Sequence, residues 1–255
     1  MAEFDALRID RDGKRNIKDI VTEEAPLTIY LGGKELLTLL CSPDSLKELS
    51  IGFLYSSGII KSMADIKDIA IDDKNWVSHV ELSGSDDSSE LIFKRLFTSG
   101  CGRGTLFYNA LDLAHKKIIK SDITVLSDRI TALMNTFQDK SVLFKETGGV
   151  HSAALSDGER ILAFKEDIGR HNAVDKIIGD AVMKGLDMIN MIVLTSGRIS
   201  SEIVHKVAKM RSPVLISRSA PTDQAVRAAR EIQLTLIGFA RGSRMNVYTG
   251  EERIV

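Results

Sequence analysis

Cysteine is nearly missing from this sequence: 255 residues carry two, Cys41 and Cys101, far apart and in unlike settings. A disulfide framework is therefore not expected, and five scattered histidines do not supply the ligands of a structural zinc site. Long apolar runs are missing as well. No stretch approaches the roughly 18 uncharged apolar residues of a membrane span, and the opening MAEFDALRIDRDGKRNIKDI alternates charges where a secretion signal would carry an apolar centre. A cytoplasmic chain without membrane contact is the expectation. An excess of one charge is also lacking: 34 Lys and Arg against 35 Asp and Glu leave a formal net charge of -1. This argues against a surface that coats nucleic acid and makes any anion site a local one. Neither GxGxxG nor GxxxxGK[ST] occurs, so no dinucleotide fingerprint or P-loop points to hydride or phosphoryl transfer.

What is present is an ordinary globular composition, 44% apolar and 27% charged, in a length that suits one or two domains. PLTIYLGGKELLTLLCS sets two apolar runs around Gly32-Gly33, a hairpin signal, and SPDSLKELSIGFLYSSGII reads as a capped amphipathic helix. WVSHVEL and ELIFKRLF are strand-like, and SGSDDSSE, residues 83–90, is an exposed polar loop between them. A helical segment follows near Ser127 to Phe137. Beyond it, strand-like and amphipathic runs alternate: ILAF, HNAVDKIIGDAVMKG, MIVLT, SSEIVHKVAKM, PVLIS, TDQAVRAAREI, LTLIGFA. Alternation of this kind implies crossover connections and a mostly parallel sheet. The fold class expected is α/β, with residues 1–120 as a smaller N-terminal α+β element and residues 121–255 as the main layered domain.

In an open parallel sheet, ligands settle outside the carboxyl ends of the strands. The segments that follow the apolar runs there are KEDIGRHN, SGRISSE, SRSAPTD and RGSR, and each holds arginine. Arg170, Arg198, Arg218, Arg241 and Arg244 would converge on one edge, with Gly169, Gly197 and Gly242 letting backbone amides approach a ligand. Any one arginine could equally be a solvated surface residue, but five in equivalent places suit the phosphates of a nucleotide or phosphorylated cofactor. His171, at a helix start with Asp175 one turn on, is either an oriented functional imidazole or a helix-terminal hydrogen-bonding group. His151, after a glycine pair, could line the same cleft; His79, His115 and His205 read as ordinary surface or packing residues.

Cys41 closes an apolar strand and reads as a packing residue. Cys101, in TSGCGRGTLF, has glycine on both sides and Arg103 two residues on, conditions that expose a thiol and favour thiolate. A catalytic cysteine and an incidental cysteine on a conformationally required glycine loop both remain open. Since Gly104 stands where a Cys-x-x-Cys would have its second thiol, an intrachain disulfide relay is not available. Covalent acyl-type chemistry, or the carrying of sulfur as a persulfide, fits a lone thiol better.

EEAPLTIYLGG, FTSGCGRGT, KETGGVHSAAL, EDIGRHNAVDKIIG, LTSGRISSEIV, SRSAPTDQAV and GFARGSRMNVYTGEERI, in that order, resemble the FdhD/NarQ family of formate dehydrogenase accessory sulfurtransferases, from about Glu23 onward. The resemblance implies a sulfur carrier that takes sulfur from a cysteine desulfurase and passes it to the molybdenum (or tungsten) bis(molybdopterin guanine dinucleotide) cofactor required by formate dehydrogenase. It implies Cys101 as the persulfide-bearing residue and places the cofactor against Phe239, Ala240, Arg241, Gly242, Ser243 and Arg244. Arg170, His171, Arg198 and Arg218 join that set from the strand-end reading. A guanine nucleotide is a further candidate ligand. The larger domain is expected to be a cytidine-deaminase-like three-layer α/β unit. The deaminase signature is not there, however: Ser152 and Ala153 follow His151, and no cysteine follows Cys101, so zinc-dependent deamination is not expected. Many relatives carry Cys-x-x-Cys at this loop; Gly104 leaves the first cysteine to act alone. A client with two nucleotide halves would suit two symmetry-related rims, hence an expected homodimer. Two other functions stay open: a non-catalytic chaperone that delivers the cofactor, and a cysteine hydrolase acting on a nucleotide-like substrate.

Overall fold

The structure, a computed structural model, describes residues 1–84, 96–97, 105–106 and 118–255. It opens with a two-stranded ribbon, Ala2–Asp10 (β1) and Gly13–Val21 (β2), in antiparallel register from Ala2 opposite Val21 to Asp10 opposite Gly13. Its apolar residues fall on both faces, and Phe4, Leu7, Ile9 and Ile20 stay exposed. That scatter gives no period-2 signal, which is why the ribbon is not legible from the sequence.

The Gly32-Gly33 hairpin is where the sequence predicts it. Ala25–Leu31 (β3) and Lys34–Cys41 (β4) meet across the two glycines, whose φ values of 56° and 77° are those a tight two-residue turn demands. Leu46–Ser56 (α1) follows, then Ile66–Asp72 (β5) and Val77–Leu82 (β6), and the four strands form a sheet in the order β4-β3-β6-β5. α1 departs from the capped amphipathic helix expected. Ser45 precedes it at φ 54° without a side-chain cap, its hydroxyl accepting instead from Lys165 Nζ at 2.9 Å. The helix buries Leu46, Leu49, Ile51, Phe53 and Leu54, so its stability comes from packing on several sides and not from an amphipathic stripe or a cap. Leu96–Phe97 (β7) pairs antiparallel with Thr105–Leu106 (β8). The SGSDDSSE loop from residue 85 on, the rest of ELIFKRLF, and the cysteine loop with Cys101, Arg103 and Gly104 lie outside the described residues.

From Ser127 the chain runs through Ser127–Lys140 (α2), Val142–Thr147 (α3), His151–Ser156 (β9), Ile161–Asp167 (β10), Arg170–Met183 (α4), Ile192–Thr195 (β11), Ser201–Met210 (α5), Val214–Ser217 (β12), Asp223–Glu231 (α6), Thr235–Arg241 (β13) and Arg244–Thr249 (β14). The six strands form one sheet, β10-β9-β11-β12-β13-β14. Its centre, β11-β12-β13, is parallel, but β9 pairs antiparallel with both β10 and β11, and β14 pairs antiparallel with β13. The expectation of a mostly parallel sheet is thereby corrected to a mixed one. The physical reason is loop length: β9 to β10 and β13 to β14 are joined by short turns, which can only reverse the chain, whereas a parallel neighbour needs a crossover. The strands in HSAALS and RMNVYT, and the hairpins they complete, carry no sequence signal of their own.

The sheet is covered on both faces. α2 packs Ile130, Leu133, Met134 and Phe137 against Ala154, Ile192, Leu194, Val214, Ile216 and Ile237. The other face, with Ala153, Leu155, Val193, Leu215 and Leu236, meets the apolar sides of α4, α5 and α6. That second cluster continues into Leu27, Ile29, Leu49 and Leu54, so one apolar core runs across residue 120. α1 and α4 cross with backbone against backbone. A Cβ on Gly52 would overlap the carbonyl of Asp175, and one on Gly179 would overlap the carbonyl of Glu48. No described helix is long and apolar enough to cross a membrane.

Candidate functional site

Strand direction decides what shares an edge. β10, β11, β12 and β13 all point the same way, because β9 reverses between β10 and β11. Their carboxyl ends therefore share one edge with the amino end of β9, where His151 stands opposite Asp167. The arginine-bearing segments predicted to converge there do so, although the sheet is mixed.

Gly169 caps α4, and Arg170 and His171 form its first turn. What holds this turn is Asp167, fully buried at the end of β10. Its Oδ1 accepts from Gly169 N at 2.8 Å and from Asn172 Nδ2 at 2.9 Å, and its Oδ2 accepts from Ser42 N at 3.0 Å and faces Lys176 Nζ at 2.7 Å. Burial pushes the Asp167 carboxyl up from its ordinary value, against the opposing pull of Lys176 and of the Gly169 and Asn172 donors. Asn172 Nδ2 also donates to Leu40 O at 2.8 Å, tying β4 to the same turn.

Next along the edge is Ser196-Gly197-Arg198, after β11. A Cβ on Gly197 would come within 2.8 Å of Arg170 Cβ and 3.5 Å of His151 Nδ1, so only glycine lets the loop pass between them. His151 Nδ1 lies 3.3 Å from Ser196 Oγ, and that hydroxyl accepts from Ser152 N at 2.9 Å. Burial lowers the pKa of His151, and the charges of Arg170, His171 and Arg198 lower it further, so this imidazole is held neutral. Arg198 itself is exposed. His171 Nε2 sits 3.0 Å from Glu202 Oε2 and 3.3 Å from Ser200 Oγ, both at the start of α5.

After β12, Ser217 Oγ donates to Gly197 O at 2.6 Å, which locks two of the strand-end loops together. Arg218 is half-buried. Its Nε is shut off from solvent with no hydrogen-bond acceptor among the described residues, and burial, then the charge of Arg241, press its pKa down. Arg241 Nε donates to Arg218 O at 2.8 Å, which draws one guanidinium over the backbone of the other arginine. At the end of β13, Phe239 adopts φ 53°, an uncommon backbone for a non-glycine residue, and its N–H donates to Ser219 O at 3.1 Å. The register of β13 against β14 breaks between Gly238 and Arg241, and Arg241 and Arg244 pair across the exposed Gly242-Ser243 turn. Ala240 is buried in the core beneath α2.

Two arginines held side by side, one with a buried Nε that has no acceptor among the described residues, concentrate positive charge at this point of the edge. Arg170, His171, Arg198, Arg218, Arg241 and Arg244 are thus placed on one edge, together with Phe239, Gly242 and Ser243; the position of Cys101 relative to them lies outside the described residues. Sequence reasoning missed Glu202, Ser196, Ser200 and Ser217. Three of the four sit in SGRISSE, but nothing in that stretch says that its carboxylate turns inward to a histidine of another helix.

Cys41 is buried, with its Sγ 3.5 Å from Ala25 O, and burial, reinforced by the nearby Asp167 charge, pushes its thiol up to about 12. Because the thiolate is the reactive form, a brief treatment of native protein with iodoacetamide near pH 8 is expected to leave Cys41 unmodified, while urea-unfolded protein takes up label there. Peptide mapping checks this, and native labelling of Cys41 would contradict the packing reading.

Residues 22–255, all of the chain beyond the N-terminal ribbon, match the FdhD/NarQ family. Among similar proteins, "Sulfur carrier protein FdhD" of Bacillus pumilus (strain SAFR-032) is 43% identical over 246 residues, 96% of this chain and 94% of the relative. The protein of the same name from Bacillus subtilis (strain 168) is 40% identical over 251 residues, 98% and 96% of the two chains. A solved structure, "Crystal structure of a putative formate dehydrogenase accessory protein from Desulfotalea psychrophila", superposes with a TM-score of 0.82 at 25% identity, covering 100% of this chain and 99% of that one. With matches of this extent, the chain belongs to the FdhD/NarQ family.

Proposed function

We propose that this protein is a sulfur carrier in the maturation of formate dehydrogenase. In this reading the Cys101 thiolate attacks the outer sulfur of a cysteine desulfurase persulfide. A new S–S bond forms to Cys101, the desulfurase thiolate leaves, and Cys101 holds the outer sulfur as its own persulfide. The substrate that receives the sulfur is the molybdenum (or tungsten) bis(molybdopterin guanine dinucleotide) cofactor, held through its phosphates at the strand-end edge.

The observation that carries the reading is the pairing of Arg218 with Arg241 on an edge that also gathers Arg170, Arg198 and Arg244, in a chain whose net charge is -1. So local an excess of guanidinium groups fits a polyanionic substrate, and the name carried by its relatives supplies sulfur carriage. Arg218 and Arg241 would take the pyrophosphate. Phe239 and the turn at Gly242 and Ser243 would offer an aromatic face and open backbone to the rest of the nucleotide. Neutral His151 would hydrogen-bond without adding charge.

Intact mass measurement after incubation with a cysteine desulfurase and cysteine tests the carrier step. The expected result is a gain of one sulfur, reversed by dithiothreitol, mapped to Cys101 and lost in Cys101→Ala. Undiminished loading of Cys101→Ala would overturn the assignment. No loading of the wild-type chain, with formate dehydrogenase activation intact in Cys101→Ala, would favour a chaperone that delivers the cofactor without carrying sulfur.

A further inference from the structure

Glu202 is out of place on a phosphate-binding edge. It stands in the first turn of α5, beside the cationic loops, and a carboxylate there would repel the ligand the arginines attract. Its side chain, however, is only 10% exposed, and its Oε2 is shielded from solvent, 3.0 Å from His171 Nε2 at ion-pair distance but without a hydrogen bond among the described residues. The same Nε2 lies 3.3 Å from Ser200 Oγ. Ser200 is the residue before α5, where a serine hydroxyl ordinarily accepts from its own helix; here it makes no such cap and faces the imidazole.

We propose that Glu202 is a positioning residue that orients His171 for contact with the anionic substrate. A carboxylate oxygen 3.0 Å from a ring nitrogen favours a hydrogen over a lone pair there by charge, and Nε2–H then donates to Ser200 Oγ, which turns that side of the ring inward. Nδ1, which takes no hydrogen bond among the described residues, is then the ring nitrogen available to a ligand. The arrangement is the one by which carboxylates fix imidazole tautomer and direction at ligand sites generally. It spans two helices. α4 carries His171, α5 carries Glu202 and Ser200, and Gly197 between them lets Arg170 pass within contact of the same loop. The dyad therefore also couples the two helix starts that border the nucleotide site.

This inference rests on the anion-site reading above, and the experiment separates the two. Binding of guanosine diphosphate, the probe, is measured by calorimetry for the wild type and for Arg241→Ala, His171→Ala, Glu202→Ala, Glu202→Gln and the His171→Ala/Glu202→Ala pair, with melting temperatures for each. Expected are losses of about tenfold in affinity for His171→Ala and for Glu202→Ala, the scale of one charged hydrogen bond. Glu202→Gln, whose amide oxygen can still face Nε2–H, should stay within about threefold of wild type, and the double variant should bind no more weakly than either single one. A purely structural role would lower the melting temperature without this pattern. Wild-type affinity in His171→Ala, or equal loss in Glu202→Gln and His171→Ala, overturns the positioning role; the comparison of those two variants decides the matter even should Glu202→Ala fail to fold. If the wild type does not bind the probe, or Arg241→Ala binds it normally, it is the anion-site reading that fails.

Discussion

Gly179→Ala is expected to lose most of the folded protein, although helix propensity predicts the opposite sign. In an exposed helix interior, alanine is favoured over glycine by about 1 kcal/mol. Here the added methyl would land on the carbonyl of Glu48 in α1, a backbone atom that cannot rotate away. Separating α1 from α4 would open the packing of Leu49, Ile51 and Leu54 against Ala173, Val174 and Ile177. Overpacking costs about 1–3 kcal/mol where side chains can adjust, and more where they cannot, so a net loss of about 3 kcal/mol or more is expected. Gly52→Ala, which would strike the carbonyl of Asp175 from the other side, should behave alike. Urea unfolding checks both, and wild-type stability in either variant would contradict the backbone contact. The crossing also bears on the site, since α4 begins with Arg170 and His171.

Lys176→Met is the second large effect. Lys176 and Asp167 are both fully buried and 2.7 Å apart, and removing one member of such a pair typically costs about 3–5 kcal/mol because the other charge is left uncompensated. The sign of the pH dependence follows from Asp167. Burial holds its folded-state pKa above the unfolded one, so its protonated form favours the folded state. That contribution is complete below the unfolded carboxyl pKa of about 3.9 and is lost as pH rises through the higher folded value. Without the lowering pull of Lys176 the folded value climbs further. The variant should therefore be least stable at neutral to alkaline pH and should regain stability on moderate acidification, where Asp167 takes up a proton. Denaturant titrations at pH 5 and pH 8 test this, and a variant more stable at pH 8 would refute it. Because Asp167 also holds Gly169 and Asn172, guanosine diphosphate affinity should fall together with stability.

How much of the fold was legible depended on whether an element carried its own pattern. The Gly32-Gly33 turn, α2, and the alternation from ILAF to LTLIGFA each have a local signal, and each element appears. β9 did not announce itself because HSAALS is small and buried almost throughout, without alternation. β14 was passed over because RMNVYT is largely exposed and polar at an edge. Both omissions fell on hairpin partners, so the sheet was expected to be mostly parallel when three of its neighbouring pairs are antiparallel. The shared edge survived that error. Inserting β9 between β10 and β11 reverses one strand but leaves the strands that lead into the arginine loops pointing one way.

The arginines of the edge were legible for a related reason: each lies in the short segment that follows an apolar run, and strand-end position is written in one dimension. Glu202 was not, because its meaning depends on a histidine 31 positions earlier that approaches only when α4 and α5 pack side by side. The sequence by itself determined that this is a cysteine-poor α/β protein with arginine in four segments that follow apolar runs of its C-terminal half, because composition and periodicity are local properties of the chain. Only the tertiary structure decided that the sheet is mixed, that Arg218 and Arg241 crowd one another, that Gly52 and Gly179 let two helices touch, and that Glu202 turns inward to His171. Those are contacts between residues far apart in the chain, and only packing against one another determines which of them form.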